Sequence, residues 1–385
     1  MDAKAGAQER FRAVQDRLIE VSHRIHAHPE LGYEEERAAG WLEAMLADFG
    51  FTVEAGAYDL PTAFIARRGS GPLHVAICAE YDALPGIGHA CGHNVIAASA
   101  LGAAVAAAHV ADEAGLTVTV IGTPAEEGGG GKILLLDRGA FADAHLAMMT
   151  HPAPYDIVDP AIIAAVTLDL RYTGKESHAS AAPEQGINAA DALTVAQTAI
   201  GLLRQHLRQT DRIHGIITKG GDAPNIVPAH TEARYMARAE TLADLGDVRG
   251  RMLACFEAGA MATGATLEVL DAHPPYAHMV HDLEVGAAYR RNAEALGRVF
   301  PELGPQRQRF AASTDMGNVS LALPSIHPMV GINSLPAVNH QPEFAAHCVS
   351  ADADQALVEG GLAMAWTAID AATDPDLRDR LINLR

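Results

Sequence analysis

The stretch that decides the fold is Glu-Tyr-Asp-Ala-Leu-Pro-Gly-Ile-Gly-His-Ala-Cys-Gly-His-Asn, residues 80–94. An apolar run, 73–79, precedes it, and an alanine-rich apolar run, 95–111, follows it. Because glycine and proline favour an irregular loop, a buried strand is predicted to enter this loop and a buried helix to leave it. Ligands of open α/β sheets bind beyond the carboxyl ends of strands. We therefore interpret the loop as the first half of a metal site, with Cys91 and His93 as ligands.

The same pattern occurs twice more along the chain. A second apolar run, 116–122, leads to Glu126 and Glu127, and a third, 146–150, leads to His151. The helix between the first two runs gives the spacing of a βαβ unit and predicts a parallel sheet. Residues of metal-binding type thus follow three successive strands, which chance placement does not readily explain. This coincidence supports a metal site more strongly than any single motif.

The Cys-x-His pair suits zinc or another borderline transition metal, which binds thiolate and imidazole. The alternative for Cys91 and His93 is a buried loop cysteine beside a hydrogen-bonded histidine. Asp82 lies on the same loop and is either a ligand or a partner that orients a ligand histidine. We favour the orienting role because Cys91 can supply the anionic ligand. His89 is close in sequence but can be an ordinary loop histidine.

Two adjacent carboxylates, Glu126 and Glu127, point in different directions, so one can bind a metal while the other faces the substrate. A carboxylate near a metal-activated water can act as the general base of hydrolysis. The alternative is a solvated acidic turn before a glycine-rich loop. His151 is a further candidate ligand. His340 is favoured over His347 as the ligand from the C-terminal part of the chain.

From residue 162 the pattern changes to strands and helices in the order βαββαβ, which predicts a ferredoxin-like unit. The predicted strands are 166–172, 212–219, 231–238 and 265–270, and the predicted helices are 186–207 and 242–262. The chain is thus expected to contain a metal-binding catalytic domain, 1–161 and 275–385, and an inserted domain, 162–274.

Three residues of the insert are candidates for contact with a substrate. His178 can polarise a carbonyl or stabilise an oxyanion, or it can be a capping or solvent-exposed histidine. Asn225 and Arg238 flank a proline-containing turn and the next strand. Because an amide and a guanidinium can grip a carboxylate, these two residues are candidate carboxylate binders.

Six stretches, taken in order, resemble the aminoacylase and carboxypeptidase-G-type metallopeptidase family. They are residues 80–94, 122–131, 149–152, 174–192, 225–238 and 313–318. The likeness is greatest to its amidohydrolase branch, which includes p-aminobenzoyl-glutamate hydrolase and cytosolic dipeptidases. The resemblance implies an α/β catalytic domain with a mixed, mainly parallel sheet flanked by helices, and an inserted ferredoxin-like lid domain that also forms a homodimer. It implies one or two divalent metal ions, Zn or Mn, as cofactor.

The resemblance also assigns roles to individual residues. The implied metal ligands are Cys91, His93, Glu127, His151 and His340. If two ions bind, Cys91 is implied to bridge them. Glu126 is implied as the general base, and His178 as a transition-state stabiliser that reaches the site of the partner subunit. Asn225 and Arg238 are implied as binders of the substrate carboxylate. Many relatives have Asp where this chain has Asn94, and we interpret Asn94 as a mark of the dipeptidase-like subgroup.

Length, charge and cysteine content set further limits. A chain of 385 residues is long for one core and predicts two domains. The net charge of −20 and the pI of about 5.3 argue against nucleic acid or an anionic membrane as a partner, because both require a basic patch. The four scattered cysteines imply no disulfide framework. Since residues 1–15 lack the apolar core of a signal peptide, we expect a cytoplasmic protein.

Together these features predict a metal-dependent amidohydrolase. It would cleave the amide bond of a dipeptide or an N-acyl, aminobenzoyl-type amino acid, with water activated by the metal and Glu126. One alternative is a catalytically silent, metal-stabilised binding or regulatory protein of the same fold, which would have lost Glu126 or a ligand. Another is a structural metal site, against which the mixed set of cysteine, histidine and glutamate argues.

Overall fold

The computed structural model describes residues 2–302 and 312–384. It divides into two compact units, one formed by Met1–Ala161 with Met279–Arg385 and the other by Ile162–His278. The second unit extends beyond residue 274, where the insert was predicted to end. The reason is that Ala165 and Tyr276 exchange two backbone hydrogen bonds, of 3.0 and 2.9 Å, which keep the segment after the last strand on the sheet of that unit.

The described residues form the helices α1 (Ala3–His26), α2 (Glu36–Asp48), α3 (His93–His109), α4 (Ala111–Ala114), α5 (Gly131–Asp137), α6 (Ala189–Leu203), α7 (Leu242–Thr263), α8 (Leu283–Ala295), α9 (Met316–Ala322), α10 (Pro342–His347), α11 (Ala351–Thr373) and α12 (Pro375–Asn383). They form the strands β1 (Thr52–Ala55), β2 (Phe64–Gly69), β3 (Leu73–Ala79), β4 (Leu116–Gly122), β5 (Leu146–Met148), β6 (His151–Ala153), β7 (Ala164–Thr173), β8 (Arg212–Lys219), β9 (His230–Ala239), β10 (Thr266–Asp271), β11 (Ser325–Ile326) and β12 (Met329–Gly331). Within this part of the chain, every helix falls short of the length or the apolar character that a bilayer crossing requires.

The first unit is built on a six-stranded mixed sheet in the order β1-β2-β4-β3-β5-β11. Strands β4, β3, β5 and β11 run parallel to one another, whereas β1 and β2 are antiparallel additions at one edge. Helices α1, α3, α8 and α11 contribute their apolar side chains to one hydrophobic core with this sheet. The predicted α/β class, with a mixed sheet flanked by helices, is confirmed.

The alanine-rich run forms α3, which is buried along almost its whole length. Its small residues allow the neighbouring helices to approach closely. A Cβ on Gly102 would lie 2.4 Å from the ring of Phe11, and a Cβ on Gly361 of α11 would lie 2.8 Å from the same ring. The helix begins at His93 rather than at the predicted residue 95, so the candidate ligand belongs to its first turn.

The second unit contains a four-stranded sheet in the order β10-β7-β9-β8, antiparallel throughout. Its elements follow one another as β7-α6-β8-β9-α7-β10, and both helices pack on the sheet in a separate hydrophobic core. Helix α6 begins at Ala189 rather than at residue 186. The side chain of Asn188 accepts the N–H groups of Ala190 and Asp191 and thereby caps the helix.

Candidate metal centre and active site

The carboxyl ends of β3 and β4 lie side by side, because their parallel register pairs Ala79 with Gly122. Thr123 links the two ends: its N–H and its hydroxyl both donate to the carbonyl of Ala79, at 2.8 and 3.0 Å. Strand β5 pairs with the other side of β3. The loops that follow these parallel strands therefore emerge at the same edge of the sheet.

Gly92 separates the cysteine and the histidine of the first loop. Its φ is +83°, in the left-handed region. A Cβ at this position would lie 2.4 Å from Cγ of Pro152 and 3.1 Å from Sγ of Cys348. The glycine of the Cys-x-His pair is thus required both by its backbone conformation and by the close approach of the segment that follows His151.

The structure brings the five predicted ligands together around one sulfur atom. In one group, the donor atoms of Cys91, His93 and His151 lie within 4.8 Å of one another, and in another those of Cys91, Glu127 and His340 do so. Sγ of Cys91 is 3.4 Å from Nε2 of His151, and Nε2 of His340 is 3.6 Å from Oε1 of Glu127. Because Cys91 belongs to both groups, its sulfur is placed to serve either of two neighbouring ions.

In each of the two buried histidines, His93 and His151, one ring nitrogen is hydrogen-bonded to an oxygen acceptor. Oδ1 of Asp82 lies 2.9 Å from Nδ1 of His93, and the carbonyl of Pro152 lies 2.8 Å from Nδ1 of His151. Since these oxygens only accept, each Nδ1 donates, and each Nε2 is left to face the ligand group. The other oxygen of Asp82 accepts the N–H of Glu127 at 2.9 Å, so one carboxylate orients parts of both ligand loops.

The chemistry of the donor set fits a metal ion. Nε2 of His93 and Oε1 of Glu127 are buried and make no hydrogen bond within the described part of the chain, although buried polar atoms are normally bonded. Burial, and then the charge of Glu127, raise the pKa of the Cys91 thiol well above its ordinary value. A thiolate at this position therefore needs a cation beside it, which a divalent ion would supply.

Glu126 lies beside this group. Its Oε2 is 3.8 Å from Nε2 of His93. Burial, followed by the charges of Glu80 and Glu127, raises the pKa of the Glu126 carboxyl well above its ordinary value. A carboxyl with a raised pKa is suited to take up a proton and to release it again. Burial likewise lowers the pKa of His151 to about 4, which keeps that imidazole neutral and able to bind a metal.

The sequence analysis also considered two other histidines, His89 and His347, and the asparagine Asn94. Neither His89 nor His347 belongs to a metal-ligand group among residues 2–302 and 312–384. The amide of Asn94 donates to Oγ of Ser22 and to the carbonyl of Cys348, both at 2.9 Å. An ionised aspartate could not donate to these acceptors, so the local packing accounts for Asn at this position.

Sequence reasoning missed a buried lysine next to the site. Nζ of Lys132 lies 2.6 Å from Oε1 of Glu80 and 2.7 Å from Oδ1 of Asp315. Burial alone would raise the pKa of Glu80, but Lys132 and then His93 outweigh it and lower that pKa to about 2. Lys132 and Asp315 are separated by 183 positions, and no local pattern in the sequence signals their contact.

A second residue that sequence reasoning missed is Glu35, which holds the loop before Glu126. Its Oε1 accepts the N–H of Ala125 at 2.8 Å, and its Oε2 accepts the hydroxyl of Thr62 at 2.9 Å. Ala125 has a φ of +55°, which is strained for a residue with a Cβ. Burial, and then the charge of Asp82, raise the pKa of Glu35 from 4.5 to about 7.

Replacing Glu35 by glutamine is expected to stabilise the protein at alkaline pH. The fold favours the neutral form of Glu35, so the cost of its charge appears as pH rises from about 4.5 to 7 and stays constant above. Glutamine keeps an acceptor for Ala125 without that charge. The expected gain is up to about 3 kcal/mol at pH 8 and little at pH 4.5. Thermal unfolding of both proteins at these pH values measures it, and a difference that does not change with pH would contradict the prediction.

The three candidate substrate-binding residues of the insert lie in the second unit. His178 is exposed, and its Nδ1 accepts the N–H groups of Ser180 and Ala181 at 3.3 and 3.2 Å. The N–H of Ala179 donates to the carbonyl of Asn225 at 3.0 Å, so His178 and Asn225 belong to adjacent backbone segments.

The structure does not bring Asn225 and Arg238 together within one chain. Arg238 is near the end of β9, whereas Asn225 precedes the start of that strand at His230. The strand from His230 to Arg238 spans about 26 Å at about 3.3 Å per residue. The binding of a substrate carboxylate by Asn225 and Arg238 stays a prediction.

The class of the protein follows from the fold and the site of the first unit. A mixed α/β sheet presents a cysteine, histidines and a carboxylate at the carboxyl ends of its parallel strands. A further buried carboxylate, Glu126, lies beside them. This mixed donor set, with a candidate general base next to it, defines a metal-dependent hydrolase rather than a closed structural site.

The chain belongs to the peptidase family M20/M25/M40, whose family model matches residues 76–355. It is 38% identical to a mouse (Mus musculus) protein named Xaa-Arg dipeptidase, over 97% of this chain and 90% of that protein. It is 32% identical to one of the subunits of p-aminobenzoyl-glutamate hydrolase from Escherichia coli, over 68% of this chain and 60% of that protein. The predicted membership of the metallopeptidase family and of its amidohydrolase branch is confirmed.

Solved structures show the same fold. An aminobenzoyl-glutamate utilization protein from Klebsiella pneumoniae superposes with a TM-score of 0.71 at 18% identity, over 94% of this chain and 97% of that one. A Bacillus subtilis protein described as a dinuclear metal-binding peptidase of the M20 family superposes with a TM-score of 0.67 at 22% identity, over 93% of this chain and 98% of that one. The chain is a hydrolase acting on amide or peptide bonds, and the alternative of a catalytically silent protein is not favoured.

Proposed function

We propose that the protein hydrolyses the amide bond of a dipeptide or an N-acyl, aminobenzoyl-type amino acid that carries a free carboxylate. The observation that carries this proposal is the set of donors around the Cys91 sulfur, with Glu126 beside it. The names of the relatives, Xaa-Arg dipeptidase and p-aminobenzoyl-glutamate hydrolase, support the two substrate classes. One or two divalent ions, Zn or Mn, would be held by Cys91, His93, Glu127, His151 and His340.

Each residue of the site has a defined task in this proposal. A divalent cation, when bound, acidifies a water molecule and polarises the amide carbonyl. Glu126 accepts the proton of the attacking water and passes it to the leaving amine, for which its raised pKa suits it. Asp82 keeps Nδ1 of His93 occupied and thereby fixes the ring. His178 would stabilise the oxyanion, and Asn225 and Arg238 would bind the substrate carboxylate.

The lid function of the insert, the homodimer and the cytoplasmic location stay predictions. The separation of Asn225 from Arg238 supports a dimer, because two copies could supply the two side chains to one substrate. Edge strand β8 offers a surface for it, with Ile216 and Ile217 63% and 49% exposed. The free thiols at residues 78, 91, 255 and 348 suit a reducing compartment. The sedimentation mass of the full chain would check the dimer.

The proposal predicts metal-dependent release of an amine from a small panel of amides. The panel would contain dipeptides, among them ones ending in arginine, with N-acetyl amino acids and p-aminobenzoyl-glutamate. Elemental analysis should find bound metal in the purified protein, and chelation should abolish turnover until Zn or Mn is returned, because no water is activated without the ion. Bound metal without turnover of any member would oppose the proposed substrates, and a lack of metal affinity would refute the ligand assignment.

A further inference from the structure

Three charged side chains form a buried cluster at the candidate metal centre: Glu80, Lys132 and Asp315, all 0% exposed. They come from three separate segments, after β3, at the start of α5 and before α9. Asp315 binds Lys132 twice, since Oδ1 is 2.7 Å from Nζ and Oδ2 accepts the backbone N–H at 2.8 Å. The position of the lysine ammonium is therefore well defined.

Glu80 connects this cluster with the metal ligands. Its Oε1 forms an ion pair with Nζ of Lys132 at 2.6 Å, whereas its Oε2 lies 3.4 Å from Nε2 of His93. Both oxygens are buried, and neither makes a hydrogen bond within residues 2–302 and 312–384. Donor atoms of Glu80, His93 and Glu126 all lie within 4.8 Å of one another. Oε2 of Glu80 is thus directed at the ring nitrogen that Asp82 leaves available.

The separation of these two atoms is that of two ligands of one ion. Ligand atoms that each lie about 2.1 Å from a tetrahedral ion are about 3.4 Å apart. Oε2 of Glu80 and Nε2 of His93 have this separation, as do Sγ of Cys91 and Nε2 of His151. A cation bound to both would account for a carboxylate oxygen and an imidazole nitrogen that face each other without a hydrogen bond among the described residues.

Lys132 accounts for the presence of another carboxylate at this site. Glu80 lies among other buried acids, and an unpaired buried carboxylate is strongly destabilising. The ammonium group compensates one oxygen of Glu80 and leaves the other available. Burial alone would lower the pKa of Lys132, but Asp315 and then Glu80 outweigh it and raise that pKa, so the lysine carries its charge.

We propose that Glu80 is an additional ligand of the metal centre, with Oε2 directed at the ion beside His93 and Oε1 held by Lys132, which Asp315 anchors. This inference rests on the proposed metal-dependent function and adds a ligand that the sequence did not predict. It also makes Lys132 and Asp315 positioning residues, because they act on the ion only through Glu80.

The test is the affinity of the full-length protein for Zn²⁺ and for Mn²⁺, each measured by competition with a chromophoric chelator. Glu80→Gln keeps the shape of the side chain and removes its charge, and we expect it to weaken metal binding by more than about 100-fold, beyond the effect of losing an orienting partner. Asp315→Asn is the matched control, because it also removes a buried carboxylate bound to Lys132 but no atom that faces His93. Its metal affinity should fall less than that of Glu80→Gln, within the about 10- to 100-fold typical of an orienting partner, because Asp315 acts on the ion only through Lys132 and Glu80.

The outcomes separate this inference from the function on which it rests. Equal weakening by Glu80→Gln and Asp315→Asn would overturn it, because Glu80 would then be a structural partner of Lys132 only, and an unchanged affinity of Glu80→Gln would also overturn it. If Glu80→Gln does not fold, Glu80→Asp keeps the charge and retracts the oxygen, and it should still bind metal more weakly than Asp315→Asn. A wild-type protein that binds neither ion would refute the proposed metal-dependent function itself.

Discussion

Replacing Glu126 by glutamine is expected to lower kcat about 10²- to 10⁴-fold, the contribution typical of a general base. The amide of glutamine has nearly the same shape but cannot accept the proton of the attacking water. Most of the metal should be retained, because in our proposal Glu126 acts as the base rather than as a ligand: its Oε2 lies 3.8 Å from Nε2 of His93, farther than Oε2 of Glu80 at 3.4 Å. Steady-state kinetics with the amide that the panel identifies, together with elemental analysis, would measure both quantities.

Glu127→Gln is the matched control for this substitution, because it changes the neighbouring residue in the same way. Oε1 of Glu127 lies in the group with Cys91 and His340, so this variant should lose metal as well as activity. The contrast between a metal-loaded inactive protein and a metal-depleted one distinguishes the base from a ligand. Full activity of Glu126→Gln would show that another group takes the proton.

Replacing Cys91 by alanine is expected to remove most of the bound metal and to abolish turnover. Its sulfur is the one donor common to the groups with His93 and His151 and with Glu127 and His340. Losing it takes a ligand from both positions at once, so we expect metal affinity to fall by more than about 100-fold, beyond the effect of losing an orienting partner. Elemental analysis after dialysis and amine-release assays at saturating Zn or Mn would measure the two losses.

Cys348→Ala provides the control for a thiol in the same neighbourhood. Cys348 is buried, and its thiol donates to the carbonyl of Phe344 at 3.3 Å, but it belongs to no metal-ligand group among the described residues. This variant should keep its metal, because it loses only a weak hydrogen bond and a small volume. Retention of metal by Cys91→Ala would mean that the sulfur is not a ligand and would contradict the site as we describe it.

Much of the metal centre can be predicted from the sequence because its parts are local. Each of Cys91, His93, Glu127 and His151 lies shortly after an apolar run, and parallel strands place their carboxyl ends at one edge of a sheet. His340 was favoured over His347 from the sequence, and in the structure its donor atom lies in the group with Cys91 and Glu127. The neighbouring sequence did not explain why residue 94 is Asn where many relatives have Asp. The acceptors of its amide, Ser22 and the carbonyl of Cys348, are 72 and 254 positions away.

The geometry of the insert shows why spacing along a chain is a poor guide to contact. Asn225 and Arg238 are near each other in sequence, which suggested a shared carboxylate site. The strand between them is extended, so each residue adds about 3.3 Å to their separation. In a helix the same number of residues would rise only about 1.5 Å each. Both residues stay predicted binders of the substrate carboxylate.

By itself the sequence determined the α/β class, the family, the order of the elements and the candidate ligands at the strand ends, because all of these depend on short, contiguous patterns. Only the tertiary structure decided which carboxylate orients which histidine, that Lys132 joins Glu80 to Asp315, and that Glu35 supports the backbone before Glu126. The reason is physical. A buried charge requires a partner at hydrogen-bond distance, and folding supplies that partner from any part of the chain, here from as far as 183 positions away.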